Sequence, residues 1–183
     1  MVKVFVPKER SEGETRVAGT PETAKRLIKE GFDVIVEAGA GESAGFVDSA
    51  YTTAGATVAA DGAWGDADII VKVAVPTAEE AGRMKAGAIV IGFASAHKNP
   101  DAIKALRDQK VSFAAMELVP RISRAQSMDA LSSQASIGGY KAALLAASNL
   151  DKYFPLLMTA AGTIQPSRVV IMGAGVAGLQ AIA

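Results

Sequence analysis

Apolar and polar positions follow two rhythms along this chain. Short, almost unbroken apolar runs recur: "VKVFV" (2–6), "DVIVEA" (33–38), "ADIIVKVAV" (67–75), "AIVIGFA" (88–94) and "VSFAAME" (111–117), with a shorter one at "ATVAA" (56–60). Each predicts a strand, and runs this continuous are expected where both faces of a parallel sheet are covered. Between them lie stretches with helical spacing, near 20–31, 47–54, 77–85 and 99–109. The first carries its own punctuation: Thr20 as N-cap, Pro21 at the first position and Gly31 as the stop. Strand and helix in strict alternation predict a doubly wound parallel α/β sheet.

After residue 117 the rhythm changes. "LVPRISRAQSMDALSSQASIGGYKAALLAASNLDKYF" reads as a polar loop and then a long helix over 128–150, with Ser127 as its cap and Asp129 in its first turn. Gly138 and Gly139 fall inside that helix, where glycine costs about 1 kcal/mol relative to alanine. Close packing against another element would explain them, and so would a bend between domains. "PLLMTAAGTIQPS" (155–167) reads as a loop leading to a last strand, "RVVIM" (168–172). Gly173, Gly175 and Gly178 then form G-x-G-x-x-G at a strand-to-helix junction, with Val176 and Ala177 inside the turn. The first glycine permits the tight turn, the second lets backbone approach a pyrophosphate, and the third lets helix and strand pack closely. The acidic residue that completes this fingerprint belongs about 20 residues further on, beyond residue 183. An earlier match, "GAGESA" (39–44), is read as a loop, because Gly45 interrupts the helix that would have to follow. The expected organisation is an α/β domain over 1–127, a linking helix over 128–150, and the opening of a second, Rossmann-type domain over 168–183.

Composition narrows the function. The 183 residues hold 19 Lys+Arg and 19 Asp+Glu, so no overall field points to nucleic acid or an anionic surface. With no cysteine there are no disulfides and no thiolate zinc sites, and no metal is expected. The N-terminus lacks the apolar core of a signal peptide, and no run reaches the ~18–20 apolar residues of a membrane span. The chain reads as soluble and cytoplasmic, without insertion into a membrane.

In "PRISRAQSMDALSSQ", the residues alone allow a surface ion pair among Arg121, Arg124 and Asp129, or an Asp129 that merely complements the helix dipole. The longer segment "RISRAQSMDALSSQASIGGYKA", however, closely resembles domain I, the NAD(H)-binding part of the α subunit, of the proton-translocating NAD(P) transhydrogenases. "ETRVAGTPET" and "DVIVEAGAGE" resemble the N-terminal signature these share with alanine dehydrogenases, and "VVIMGAGVAGLQAIA" resembles their nucleotide-binding turn. The resemblance implies NAD(H) on this domain, NADP(H) on a partner domain, and direct hydride transfer between them. It also implies a homodimer, with membrane subunits that couple the transfer to proton translocation and hold the protein at the inner side of the plasma membrane. By the same resemblance Arg121, Gln126, Asp129 and Ser132 surround the nicotinamide, Tyr140 lies on the following helix, and Gly173, Gly175, Val176, Ala177 and Gly178 take the pyrophosphate.

The alternative is an alanine dehydrogenase-like enzyme, which must also move protons. Arg16 matches that family's arginine, but its lysine falls on Ala74 and its histidine on Ser95. His97 lies two residues away and reads as solvated; Lys72 and Arg16 are read as structural or as lining a cleft. In the family the glycine turn opens a full second domain, so the chain resembles a truncated piece. The expectation is that residues 1–183 alone bind NADH very weakly or not at all, and that added downstream residues restore binding. Calorimetry checks this, and micromolar affinity for the 183-residue chain would refute it.

Overall fold

Strand β1 (Lys3–Val6) shows in four residues how the first part of the chain is built. Its side chains alternate between two faces, and both faces are covered. Phe5 joins an apolar cluster with Trp64, Ile70, Met84, Val90 and Leu106, whereas Val4 and Val6 join another with Ala24, Val34, Val36 and Tyr51. The computed structural model describes residues 1–183, which form two compact units, Met1–Val119 and Pro120–Ala183.

The first unit holds β1, β2 (Asp33–Glu37), β3 (Thr57–Ala59), β4 (Ile69–Val71), β5 (Ile89–Gly92) and β6 (Ser112–Ala115). They make one sheet in the order β3-β2-β1-β4-β5-β6, parallel throughout. This is the doubly wound Rossmann order, which reverses direction between β1 and β4. Helices α1 (Pro21–Lys29) and α2 (Asp48–Thr53) supply Ala24 and Tyr51 to the Val4 face, while α3 (Ala78–Arg83) and α4 (Pro100–Asp108) supply Ala81 and Leu106 to the Phe5 face. Thr20 caps α1 as expected, accepting the Thr23 N–H at 3.2 Å, and Gly31 follows the helix with φ +91°. "GAGESA" is a turn and a short 3₁₀ segment, Glu42–Ala44.

Two strands stop earlier than their apolar runs. β4 ends at Val71 because the Val73 N–H turns away to the Glu9 carboxylate, 2.6 Å away. β6 ends at Ala115, and a 3₁₀ turn (Met116–Leu118) brings the Glu117 carboxylate to the N–H groups of Ala94 and Ser95, at 3.1 and 2.7 Å. Burial pushes the Glu117 carboxyl up, but the N–H groups it accepts outweigh this and hold it below the ordinary carboxylate value. They also hold Ser95 at φ +42°, a region costly for a residue with a Cβ.

The second unit departs further from the sequence reading. Helix α5 covers Ala130–Ser148, and its cap is Asp129, not Ser127, which lies in a 3₁₀ segment (Ser123–Met128). The stretch expected as a loop over 155–167 contains an antiparallel hairpin, β7 (Leu157–Thr159) with β8 (Gly162–Ile164). Residues 168–172, expected as a strand, join no sheet. A strand exists only in a ladder, and the β-structure of this unit is already paired within its own hairpin. Helix α6 (Val176–Ile182) forms as anticipated.

The two helix-interior glycines separate cleanly. A Cβ on Gly139 would run into the backbone carbonyl of Ala177 at the start of α6, whereas one on Gly138 would meet open space. Gly139 is therefore a packing glycine. Gly139→Ala is expected to lower unfolding free energy by roughly 1–3 kcal/mol through overpacking, while Gly138→Ala gains up to about 1 kcal/mol of helix propensity. Urea melts of the two variants beside the parent chain test the contrast.

Candidate functional site

The loop between Pro120 and α5 has little apolar content to bury, and Ala125 is its one buried residue. Its 3₁₀ turns leave polar side chains facing out. Arg121, Ile122, Ser123, Gln126 and Asp129 line one open, shallow cavity of about 250 Å³. Three of the four residues anticipated around the nicotinamide thus share a cavity. The fourth, Ser132, stands behind Asp129: its N–H donates to Oδ1 at 2.9 Å and its hydroxyl to Oδ2 at 2.6 Å.

These bonds set the state of Asp129. The Ser132 hydroxyl, then the Ser132 N–H, and through space the Arg121 guanidinium hold the carboxyl below the ordinary aspartate value of 3.8. Arg121 and Asp129 do not form the direct pair envisaged from the sequence, because both oxygens of Asp129 are engaged in capping α5. Arg124 joins no ion pair with Asp129 either; the carboxylate is a cap first. The sequence offers two capping residues two positions apart, Ser127 and Asp129. Only Asp129 has Ser132 three residues on to return a second bond.

In the glycine-rich turn each glycine has a distinct environment. Gly173 has φ +116°, which favours glycine. Gly175 precedes α6 with nothing where a side chain would stand, and no side chain caps the helix. Gly178 lies so close to the Gly173 carbonyl that a Cβ would collide with it. The turn is tied to α5 through Gly139 and through the Ser136 hydroxyl, 3.1 Å from Gln180 Oε1. Val176 and Ala177 form the first turn of α6. Tyr140 follows Gly139 on α5 with its side chain exposed, and it does not line the Arg121 cavity.

The other residues singled out in the sequence belong to the first unit. Arg16 is half exposed and paired with Glu14, with its Nη2 2.6 Å from the carboxylate. His97 is exposed. Lys72 is buried, with Nζ 3.4 Å from Glu9 and 3.2 Å from Glu80. Neither glutamate was anticipated. The available signal was the lysine itself: a cation inside the run "IIVKVAV" needs buried partners.

Residues 5–138 match the N-terminal domain of the alanine dehydrogenase/PNT family, and residues 142–183 match its C-terminal domain. The chain belongs to this family. Over its whole length it is 48% identical to the first portion of the NAD(P) transhydrogenase alpha subunit of Rhodospirillum rubrum, a separate polypeptide of which it covers 49%. An alanine dehydrogenase of Halomonas elongata is 35% identical over 97% of this chain and 48% of its own. Among solved structures, the transhydrogenase from Sinorhizobium meliloti superposes with a TM-score of 0.95 at 48% identity, over 98% of this chain and 54% of that one. The chain therefore spans about half the length of these relatives. No helix is long and apolar enough to cross a membrane.

Asp129 carries a pH signature. A carboxyl whose value is lowered on folding contributes stability that is complete above its unfolded value and is lost as pH falls through the lower, folded value. Carbon-detected titration of Asp129 should give a midpoint below 3.8, and Ser132→Ala should move it back up. An unchanged midpoint in that variant would remove Ser132 as the cause.

Proposed function

We propose that the chain is the N-terminal part of the NAD(H)-binding component of a proton-translocating NAD(P) transhydrogenase. Hydride passes directly between NAD(H) held by the whole protein and NADP(H) on a partner domain. The observation that carries the reading is the gathering of Arg121, Gln126 and Asp129 around one open cavity, with Asp129 fixed from behind by Ser132.

The residues fit a dinucleotide. Gly173, Gly175, Val176, Ala177 and Gly178 would hold the pyrophosphate through backbone N–H groups, and the open space at Gly175 together with the uncapped start of α6 suits that task. Arg121, Gln126, Asp129 and Ser132 would orient the nicotinamide, with Tyr140 nearby on α5. When bound, NAD(H) supplies the redox ring; the chain supplies orientation and charge. Asp129, kept ionised by its two bonds from Ser132, presents a fixed acceptor, while Arg121 and Gln126 offer donors that can meet a carboxamide. Exchange of hydride between two rings needs no general acid or base. Ala74 and Ser95, at positions where an alanine dehydrogenase has proton-moving groups, are compatible with such exchange and not with amino-acid oxidation. The higher identity to transhydrogenase subunits, 48% against 35%, supports the same choice.

The proposal includes a homodimer, an NADP(H)-binding partner domain and membrane subunits that couple the transfer to protons. It places the protein peripherally at the inner side of the plasma membrane through those subunits. The test uses the whole α subunit containing this sequence, reconstituted with the NADP(H)-binding partner. Arg121→Ala and Asp129→Ala should each slow hydride transfer from NADPH to an NAD analogue by about tenfold or more, the effect of one lost charge-assisted hydrogen bond. Unchanged rates would remove these residues from the site, and alanine-dependent reduction of NAD would favour the dehydrogenase reading.

A further inference from the structure

We propose that the first unit contains a carboxylate-binding site at the C-terminal end of its sheet, between β1 and β4, and that the chain fills this site itself with the side chain of Glu9. Doubly wound sheets receive ligands outside the carboxyl ends of their strands, where the strand order reverses. In this unit the reversal lies between β1 and β4. Each component of a small anion site is present there. The Val73 N–H reaches one Glu9 oxygen at 2.6 Å, the Ala74 N–H the other at 3.4 Å, and Lys72 Nζ stands 3.4 Å from that second oxygen. The Lys72 side chain is 3% exposed and that of Glu9 is 2%.

Lys72 has a second carboxylate partner, Glu80, and the two glutamates do different work. Glu80 belongs to the capping box of α3, where it accepts the Thr77 N–H at 2.9 Å while Thr77 caps the helix in return. It fixes the ammonium in place. Glu9 has no such structural errand. It arrives from the loop after β1, and its carboxylate meets only the donors at the end of β4. β4 in turn breaks off its ladder to present them. A loop carboxylate in this position behaves as a tethered ligand, held by its high effective concentration.

The glutamate backbone is partly exposed while its side chain is buried. Removing the side chain alone therefore vacates a space sized for a small monocarboxylate and leaves its donors reachable. The ligand class is formate or acetate; a larger acid does not fit the volume of one truncated glutamate.

Thermal unfolding of the full chain in sodium formate and in sodium chloride at equal ionic strength tests this inference, which is independent of the transhydrogenase reading. Glu9→Ala should melt about 5 °C or more below the parent in chloride and recover about half of that loss in formate, while the parent melts alike in both salts. Glu9→Gln, which fills the space, should lose stability without recovery. If Glu9→Ala does not fold in chloride, formate should restore folded, soluble protein on refolding. No loss in chloride, no recovery in formate, equal gains in parent and variant, or recovery by Glu9→Gln would each overturn the proposal.

Discussion

Because Gly139 has no side chain, α5 can run against the backbone carbonyl of Ala177, and this contact fixes where the glycine turn lies relative to the loop that carries Arg121. Little else in the second unit does so. Ala125 and Gly139 are its only fully buried residues, and Leu144, Leu145, Leu179 and Ile182 remain exposed. Burial of large apolar side chains, which dominates the energetics of most domains, contributes little to its internal geometry. What remains is backbone-to-backbone packing at Gly139, a second close approach between Gly178 and Gly173, and the bond from Ser136 to Gln180. Each requires a small residue, which explains a composition otherwise unfavourable to a long helix.

One carboxylate connects this scaffold to the chemistry. Asp129 ends the 3₁₀ segment, caps α5 and borders the cavity. Its bonds from Ser132 favour the charged form, so the group that orders the helix start is also the one that presents negative charge to the cavity. Arg121 adds to this through space without neutralising it by contact. A direct Arg121–Asp129 pair would have satisfied both groups internally. Capping instead leaves the guanidinium uncommitted to this partner.

The legibility of the sequence followed the source of the signal. Six strands and their helices were readable because burial on both sheet faces forces continuous apolar runs, and Thr20, Pro21 and Gly31 mark α1 by local geometry alone. Where strands stop was not readable. The ends of β4 and β6 are set by Glu9 and Glu117, carboxylates from distant parts of the chain that capture N–H groups. The hairpin over 157–164 escaped for a different reason: "MTAAGT" has neither an apolar alternation nor an Asn-Gly or Asp-Gly turn. The segment 168–172 has the composition of a buried strand, but composition cannot provide a neighbour. At the site, Arg121, Gln126 and Asp129 are brought together by 3₁₀ turns that no periodicity reveals. Their grouping was accessible through family resemblance rather than through pattern.

The first unit shows why strand order does not by itself confer nucleotide binding. It has the Rossmann order, and such a fold meets a dinucleotide with free backbone donors at the reversal point and with an acidic group for the ribose. Here both are engaged internally. The donors at the end of β4 hold Glu9. Glu37, the acid that ends β2, accepts the Lys8 N–H at 2.8 Å and is clasped by the Arg10 guanidinium. Burial alone would push the Glu37 carboxyl up; Arg10 and the Lys8 N–H more than offset this, leaving it ionised and satisfied. In the second unit the opposite holds: the start of α6 is uncapped by any side chain and Gly175 faces open space. A site is defined by polar groups the fold leaves unsatisfied, and on that criterion the ligand chemistry of this chain lies in the second unit.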